Sequence, residues 1–120
     1  MAVLQIVGNQ SGAGKTSLAS ALLVTANSSG KKAAYYKPFA DGRTLDLDVE
    51  FMSRLSASLG CPTVPAPANK SDSSNLAPVQ SAISKLETEA SIIILEGPDG
   101  QRPYGIDSKV ALVYQGSLEE

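Results

Sequence analysis

A glycine-rich turn that ends in a lysine and a threonine is the part of this sequence best suited to chemistry. It runs from Gly8 to Thr16, with five residues between Gly8 and the Gly-Lys-Thr triplet at 14–16. An apolar run at 2–7 precedes it, and helix-forming residues at 17–23 follow it. The amides of such a turn and of a helix N-terminus form a concave, positive surface that fits phosphate oxygens. The segment is therefore expected to bind phosphate as a P-loop.

The residues at the end of this loop have separate expected roles. Glycines let the backbone approach the phosphates, Lys15 adds a point charge, and the Thr16 hydroxyl can hold Mg²⁺. The strict pattern has its first glycine where this chain has Asn9, so Gly8 lies one position early. An ordinary turn rich in small residues is the alternative, but the strand and helix on either side favour the P-loop. The expected phosphate-binding residues are Gly12, Ala13, Gly14, Lys15, Thr16 and Ser17.

Composition limits the classes of protein to consider. The 120 residues fit one domain, and 42% apolar with 18% charged residues indicates a globular protein. A net charge of −2 argues against nucleic acid or an anionic membrane as the main partner. Phosphate would then have to be captured locally by the loop.

Cysteine and histidine usage narrows the chemistry further. Cys61 is the single cysteine and cannot form an internal disulfide, which favours a reducing cytoplasm. The chain has no histidine, which excludes Ser-His and Cys-His catalysis and histidine metal sites. No apolar run approaches the roughly 18 residues of a membrane span, and no signal peptide precedes the first strand. We therefore expect a cytoplasmic protein.

Strand-like and helix-like segments alternate along the chain. This alternation predicts an α/β fold, a three-layer P-loop NTPase fold in which helices flank a small parallel β-sheet. Phe51 and Met52 are expected in the core, and residues 96–100 are expected to end the third strand sharply. The predicted strands are 2–7, 33–36, 91–95 and 109–114, the predicted helices are 15–27, 49–59 and 76–86, and 39–44 and 61–74 are predicted loops.

Polar residues follow the predicted strands at the edge of the sheet where ligands bind. Glu96 ends an apolar strand, as in a Walker B site, and could ligate Mg²⁺ together with Thr16, or accept local backbone amides instead. Lys37 could face the γ-phosphate or an anionic substrate, or be a solvated lysine before a turn. Asp46 and Asp48 open the second helix, where capping explains one of them and leaves a metal role open for the other.

Four motifs in this order resemble the dethiobiotin synthetase-like family of P-loop proteins. They are the loop with five residues before Gly-Lys-Thr, Tyr-Lys-Pro at 36–38 with a small-residue turn, an aspartate at the head of the next helix, and Glu-Gly-x-x-Gly at 96–100. The resemblance implies ATP and Mg²⁺ as ligands. It implies Thr16, Asp48 and Glu96 as metal ligands, and Lys37 and Lys15 as catalytic residues.

Two branches of the family compete for this chain. Residues 8–16 are close to the loop of cobyrinic acid a,c-diamide synthase, an ATP-dependent amidoligase. Residues 46–52 and 109–114 look more like the N-terminal domain of long phosphotransacetylases, a nucleotide-binding or regulatory module. The primary hypothesis is a Mg²⁺-dependent ATP-binding regulatory module. The alternative is an ATP-dependent ligase, carboxylase- or amidoligase-like, that works through an acyl-phosphate type of intermediate, so whether the protein is an enzyme stays open.

The resemblance also has consequences for domain organisation and partners. Family members run well past this length, so residues 1–120 are expected to form a single P-loop nucleotide-binding domain without the C-terminal half of the family domain. An exposed sheet edge at 109–114 would favour a homodimer or a larger assembly. The expected partners are a nucleoside triphosphate and an anionic small-molecule second substrate, with no nucleic acid and no membrane. Asp41 stands where the family has a serine, and would repel such a substrate.

Overall fold

Strands and helices alternate along the chain in a computed structural model that describes residues 2–8, 14–41, 45–99 and 103–113. No helix in these ranges is long and apolar enough to cross a membrane. The strands are β1 (Ala2–Gly8), β2 (Ala33–Tyr36), β3 (Phe39–Ala40), β4 (Ala68–Asn69), β5 (Ile92–Asp99) and β6 (Lys109–Val113), the helices are α1 (Lys15–Ser28), α2 (Leu47–Leu59) and α3 (Ala77–Glu87), and a short 3-10 helix spans Lys70–Asp72.

The main sheet has four parallel strands in the order β2-β5-β1-β6. Ile92 of β5 lies opposite Ala2 of β1 on one side and Ala33 of β2 on the other. Because these strands run in the same direction, their carboxyl ends meet at one edge of the sheet. The predicted α/β fold with a small parallel sheet is therefore confirmed.

Alternating side chains cover both faces of the sheet and form the core. Ala33, Tyr35 and Ile94 face α1 and α2, where they pack against Leu23 and Met52. The neighbouring positions face α3, whose inner side carries the predicted stripe. The buried residues on that second face are Val3, Ala34, Tyr36, Phe39, Val79, Ile83, Leu86, Ala90, Ile93 and Leu95.

Local sequence explains where α2 begins and ends. Asp46 is its N-cap and accepts a 3.0 Å hydrogen bond from the Val49 backbone N–H. Gly60 ends the helix in the left-handed conformation, with φ of 72°, which glycine adopts without the steric cost of a Cβ. Met52 is buried, as expected, but Phe51 is 53% exposed, so its expected place in the core is wrong. The helical stripe rotates the adjacent position out to solvent.

A buried glutamine ties β1 to a distant segment. The Gln5 side chain accepts a 2.6 Å hydrogen bond from the Tyr104 N–H and donates a 3.3 Å hydrogen bond to the Tyr104 carbonyl. A further 3.2 Å bond from Gln5 reaches the Ser108 hydroxyl. These partners satisfy a side-chain amide that is fully buried, and they fix residues 103–108 against the central strand.

Two expectations about the irregular segments were wrong. β5 does not end at Glu96 but runs to Asp99, with one extra residue relative to β1 between the Ile6–Glu96 and Gly8–Asp99 pairs. The two predicted loops contribute β3 and β4, which pair in parallel beside the main sheet. The Ala68 N–H also donates a 2.8 Å bond to the Pro38 carbonyl, which holds this small sheet next to the end of β2.

Candidate phosphate-binding site

An open cleft of about 410 Å³ lies at the edge of the sheet where β1, β2 and β5 end. The P-loop lysine and threonine form one side of it, and the segments after β2 and within β5 form the others. Its lining combines lysines with carboxylates, which is suited to a ligand that carries both phosphate and metal. The lining residues are Gly14, Lys15, Thr16, Ser17, Lys37, Phe39, Ala40, Asp41, Asp46, Asp48, Lys70, Glu96, Gly97, Pro98 and Tyr104.

Gly14 is the N-cap of helix α1 and lies in the wall of this cleft. Its φ of 101° lies in the left-handed region, which a residue with a Cβ rarely adopts. The N-cap residue Gly14 has no side chain to cap α1, and the first turn of the helix has no acidic residue. The dipole and amides of the helix N-terminus are thus not neutralised by the helix's own side chains, which favours an anion there. Gly12 and Ala13, also predicted to bind phosphate, lie outside the described residues.

Lys15 and Ser17 lie beside the same helix start. The Lys15 ammonium donates a 3.0 Å hydrogen bond to the carbonyl of Gly97, in the extra-residue region of β5. This contact holds the lysine across the cleft, between the loop and the opposite strand. Ser17 lines the cleft from the first turn of α1 and is exposed. The geometry places both predicted residues in the cleft, and their binding roles stay predictions.

Thr16 and Glu96 form a polar contact between the start of α1 and a buried carboxylate of β5. The Thr16 hydroxyl donates a 2.7 Å hydrogen bond to Oε1 of Glu96. Glu96 is only 2% exposed, although carboxylates are rarely buried without a partner. Its position in β5, directly opposite Ile6 of β1, puts the carboxylate on the side of the sheet that faces α1. Glu96, which the sequence indicated as a Walker B carboxylate, thus contacts Thr16 of the P-loop.

Lys37 connects the end of β2 to three carboxylates. Its ammonium lies 2.7 Å from Asp46, 3.5 Å from Glu96 and 3.7 Å from Asp48. Of these distances only the one to Asp46 is within hydrogen-bond range. The alternative of a solvated lysine before a turn does not fit, because the Lys37 side chain is 19% exposed and bridges two strands and a helix.

Electrostatics in this cluster favours the charged forms. Burial lowers the pKa of Lys37, but the hydrogen bond with Asp46 and the charge of Glu96 outweigh it and raise the pKa overall. Burial raises the pKa of Asp46, but the bonds from Lys37 and the Val49 amide outweigh it and lower the pKa overall. Each group therefore stabilises the charge of the other.

Asp46 and Asp48 divide the two roles that the sequence left open. Asp46 is the helix cap, and its second oxygen binds Lys37. Asp48 lies in the first turn of α2, its side chain is 52% exposed, and it faces the cleft. Asp48 is therefore the aspartate that is available to a ligand. Its role as a metal ligand stays a prediction.

The oxygen donors of the cleft fit Mg²⁺ in combination with a phosphate ligand. Among the described residues, no group of three or more acidic or cysteine side chains could hold a metal by itself. Mg²⁺ in nucleotide sites needs only one or two carboxylates, because phosphate oxygens and water complete its shell. Thr16 and Glu96 supply adjacent hydroxyl and carboxylate oxygens of that kind. The residues present fit a magnesium ion that arrives with a phosphate ligand.

The cleft also contains residues that the sequence did not identify. Tyr104 lines it and makes an edge-to-face contact with Phe39, with ring centroids 5.4 Å apart. Lys70, from the 3-10 helix after β4, lines the same side and is exposed. No local motif marks these residues. They reach the cleft through the β3–β4 pairing and through the Gln5 hydrogen bonds, which only the tertiary structure reveals.

Comparison with known families agrees with this geometry. A family model described as an AAA domain matches residues 2–114, which is nearly the whole chain. It is a P-loop NTPase family associated with dethiobiotin synthetase-like proteins. A search of curated proteins found no match. The chain belongs to this P-loop family, and it is a P-loop nucleotide-binding domain.

Proposed function

For this member of the P-loop family, we propose that the domain binds ATP together with Mg²⁺ and acts as a nucleotide-binding regulatory module. The observation that carries the proposal is the hydrogen bond between Thr16 and Glu96 in the cleft that also holds Lys15. The expected phosphate-binding residues are thereby in contact with a buried carboxylate. Gly14, Lys15 and the start of α1 would bind the β- and γ-phosphates.

The proposed metal site is formed by residues of α1, β5 and α2. Thr16, Glu96 and Asp48 are the proposed ligands, and bound Mg²⁺ would supply charge neutralisation for the phosphates. Glu96 is held rigidly inside β5, whereas Asp48 is exposed on the first turn of α2. We therefore expect Glu96 to be the more important ligand of the two.

An ATP-dependent ligase is the second candidate, and Lys37 favours it. A partly buried lysine 3.5 Å from Glu96 and within the same cleft could stabilise charge on a phosphorylated intermediate. An anionic second substrate would then bind near Lys37 and Lys70. Asp41 lies in the same cleft and would oppose a strongly anionic substrate there. A regulatory module would bind nucleotide without turnover, which separates the two candidates.

Titration calorimetry with the wild-type chain tests the proposal. We expect Mg·ATP to bind more tightly than ATP in the presence of a chelator. Absence of Mg·ATP binding at millimolar concentration would contradict the nucleotide-binding role. Parallel titrations with GTP would establish base preference.

A Glu96→Gln variant tests the metal site and any turnover. The amide keeps the size of the side chain and an acceptor for Thr16, but removes the charge. Nucleotide should still bind, while the Mg²⁺ enhancement and any phosphate release should be lost. Glu87→Gln is the matched control, because Glu87 lines a shallow depression with Lys32 at the opposite edge of the sheet, away from the cleft. Phosphate release by the wild type would favour the ligase or ATPase role, and unchanged release by Glu96→Gln would remove Glu96 from the metal site.

We also propose that β6 is covered by a second copy of the chain or by another subunit. β6 lies at the edge of the main sheet, and its Val110 and Leu112 are each half exposed. An edge strand with exposed apolar side chains is prone to pair with another chain. Sedimentation velocity over a concentration series tests association, and a monomer at all concentrations would contradict homodimer formation.

A further inference from the structure

Tyr35 lies on the same face of the sheet as Glu96, in the layer between the sheet and helices α1 and α2. On β2 it is directly opposite Ile94 of β5, and both belong to the core on that face. Glu96 follows Ile94 by two residues, so it projects from the same face, one step nearer the cleft. The phenol ring therefore lies on the face of the sheet that carries Glu96.

The hydroxyl of Tyr35 is buried and has no hydrogen-bond partner of standard geometry in the described part of the chain. Ser56 has the only other buried side-chain hydroxyl of this kind in the described ranges. A phenylalanine would fill the same space without burying an unpaired polar group, so the hydroxyl calls for an explanation.

The surroundings of this hydroxyl point to Glu96 as its partner. Burial raises the pKa of Tyr35 well above its usual range, and the negative charge of Glu96 and a hydrogen-bonding approach to its carboxylate, short of standard geometry, raise it further. The charges of Asp48 and Asp46 act in the same direction. A phenol is protonated at neutral pH in any case, so Tyr35 offers a hydrogen-bond donor to a buried carboxylate on the same face of the sheet.

The present partners of Glu96 are both groups that a nucleotide ligand would engage. Oε1 accepts the Thr16 hydroxyl, and Oε2 lies 3.5 Å from the Lys37 ammonium. Phosphate in the cleft competes with Oε2 for Lys37, and a metal competes with Oε1 for Thr16. With the metal on one oxygen of Glu96, the other oxygen would still lose Lys37 and would need another donor to keep the buried carboxylate oriented.

We propose that Tyr35 is a positioning residue, whose hydroxyl donates a hydrogen bond to the Glu96 carboxylate when a Mg²⁺–nucleotide ligand engages Lys37 and Thr16. This inference rests on the proposed function. Tyr35 would not touch the ligand. It would hold the proposed metal ligand from the side opposite the cleft, as groups behind metal ligands commonly do.

The variant Tyr35→Phe tests this role, with Tyr36→Phe as the matched control. Tyr36 is the next residue of β2 and is also buried, but it faces the α3 side of the sheet. By calorimetry, Tyr35→Phe should weaken Mg·ATP binding by about tenfold, the size expected for one hydrogen bond to a charged group. Binding of ATP with a chelator present should change by less than about twofold, and Tyr36→Phe should change neither.

Two further measurements separate positioning from a purely structural role. Thermal unfolding of ligand-free Tyr35→Phe should occur at the wild-type temperature or above it, because no partner is lost. In a Glu96→Gln background, adding Tyr35→Phe should cause no further loss of Mg²⁺ dependence, because the two changes act through one contact.

The possible outcomes distinguish this inference from the proposed function. Wild-type Mg·ATP binding with an unchanged affinity and Mg²⁺ dependence in Tyr35→Phe would overturn the inference alone. A marked loss of stability in ligand-free Tyr35→Phe would also overturn it, since the hydroxyl would then serve the fold. Absence of Mg·ATP binding by the wild type would overturn both.

Discussion

The Thr16 hydroxyl and the Glu96 carboxylate are 80 residues apart in the chain and 2.7 Å apart in the structure. The contact exists because β1 and β5 are neighbouring parallel strands that end at the same edge. α1 starts just after β1 and brings Thr16 back over the end of β5. The start of α1 and the end of β5, which are far apart in the sequence, therefore form a single site.

Lys15→Ala is expected to weaken Mg·ATP binding at least tenfold, about 1.4 kcal/mol, because the variant removes a positive charge from the phosphate cradle. Calorimetry of the purified variant measures the change. Lys31→Ala is the control, since Lys31 is exposed next to β2 at the far edge of the sheet. Equal affinities for wild type and Lys15→Ala would contradict the role of the lysine.

Asp46→Ala is expected to lower the free energy of unfolding by about 1–2 kcal/mol, because α2 loses its N-cap. The Val49 N–H and the Lys37 ammonium would both lose their acceptor. Asp48→Ala removes only a favourable first-turn charge and should cost no more than about 1 kcal/mol. Urea unfolding of both variants tests this, and a larger loss in Asp48→Ala would be inconsistent with the capping geometry.

The Lys37–Asp46 pair is expected to make stability depend on pH in two windows. The folded-state pKa of Asp46 is lowered, so its contribution is present above the unfolded pKa of 3.8 and is lost as pH falls through the folded value. The folded-state pKa of Lys37 is raised, so its contribution is present below 10.5 and is lost as pH rises through the folded value.

Urea titrations across both pH windows, in wild type and in Asp46→Asn, measure this dependence. The variant keeps a cap acceptor but cannot titrate, so its stability should change less than that of the wild type in acid. Identical acid dependence in the two proteins would show that Asp46 titrates as in the unfolded chain.

Gly97→Ala is expected to destabilise the fold by about 1–3 kcal/mol, the usual cost of overpacking a filled interior. An added Cβ would lie 2.8 Å from Gln5 Oε1 and 2.8 Å from Val7 Cγ1. Gly105→Ala is the control, because its Cβ would lie 3.9 Å from Leu76 and would meet no closer atom. Chemical denaturation compares the two, and equal stabilities would argue against a close approach of β5 to Gln5.

The features that the sequence predicted well have strong local signals. The strand before Gly8 and the helix after Gly14 are marked by apolar patterning and by glycine, and both are present as expected. The order of the polar motifs at the strand ends also placed Lys37 and Glu96 at one edge, where the structure has them. These inferences needed only periodicity and the rule that parallel strands end together.

The features that were missed depend on contacts between distant residues. β3 and β4 are two residues each, too short for any periodicity to register. β5 continues past Glu96 because Asp99 pairs with Gly8 of β1 beyond a bulge. Gly97 and Pro98 alone predict the end of a strand. The position of Tyr104 depends on Gln5, whose burial no local pattern indicates.

The Gln5 hydrogen bonds also have a mechanical consequence for the cleft. Gln5 belongs to β1, and it holds by two bonds the backbone of Tyr104, which forms part of the cleft wall. The wall formed by Tyr104 is therefore fixed to β1, the strand that precedes the phosphate loop. The opposite wall, with Lys37 and the start of α2, begins where the backbone pairing of β2 with β5 ends at Tyr36, and the ion pair between Lys37 and Glu96 connects it to β5. Any widening of the cleft to admit a ligand is expected to come from movement of Lys37 and the start of α2.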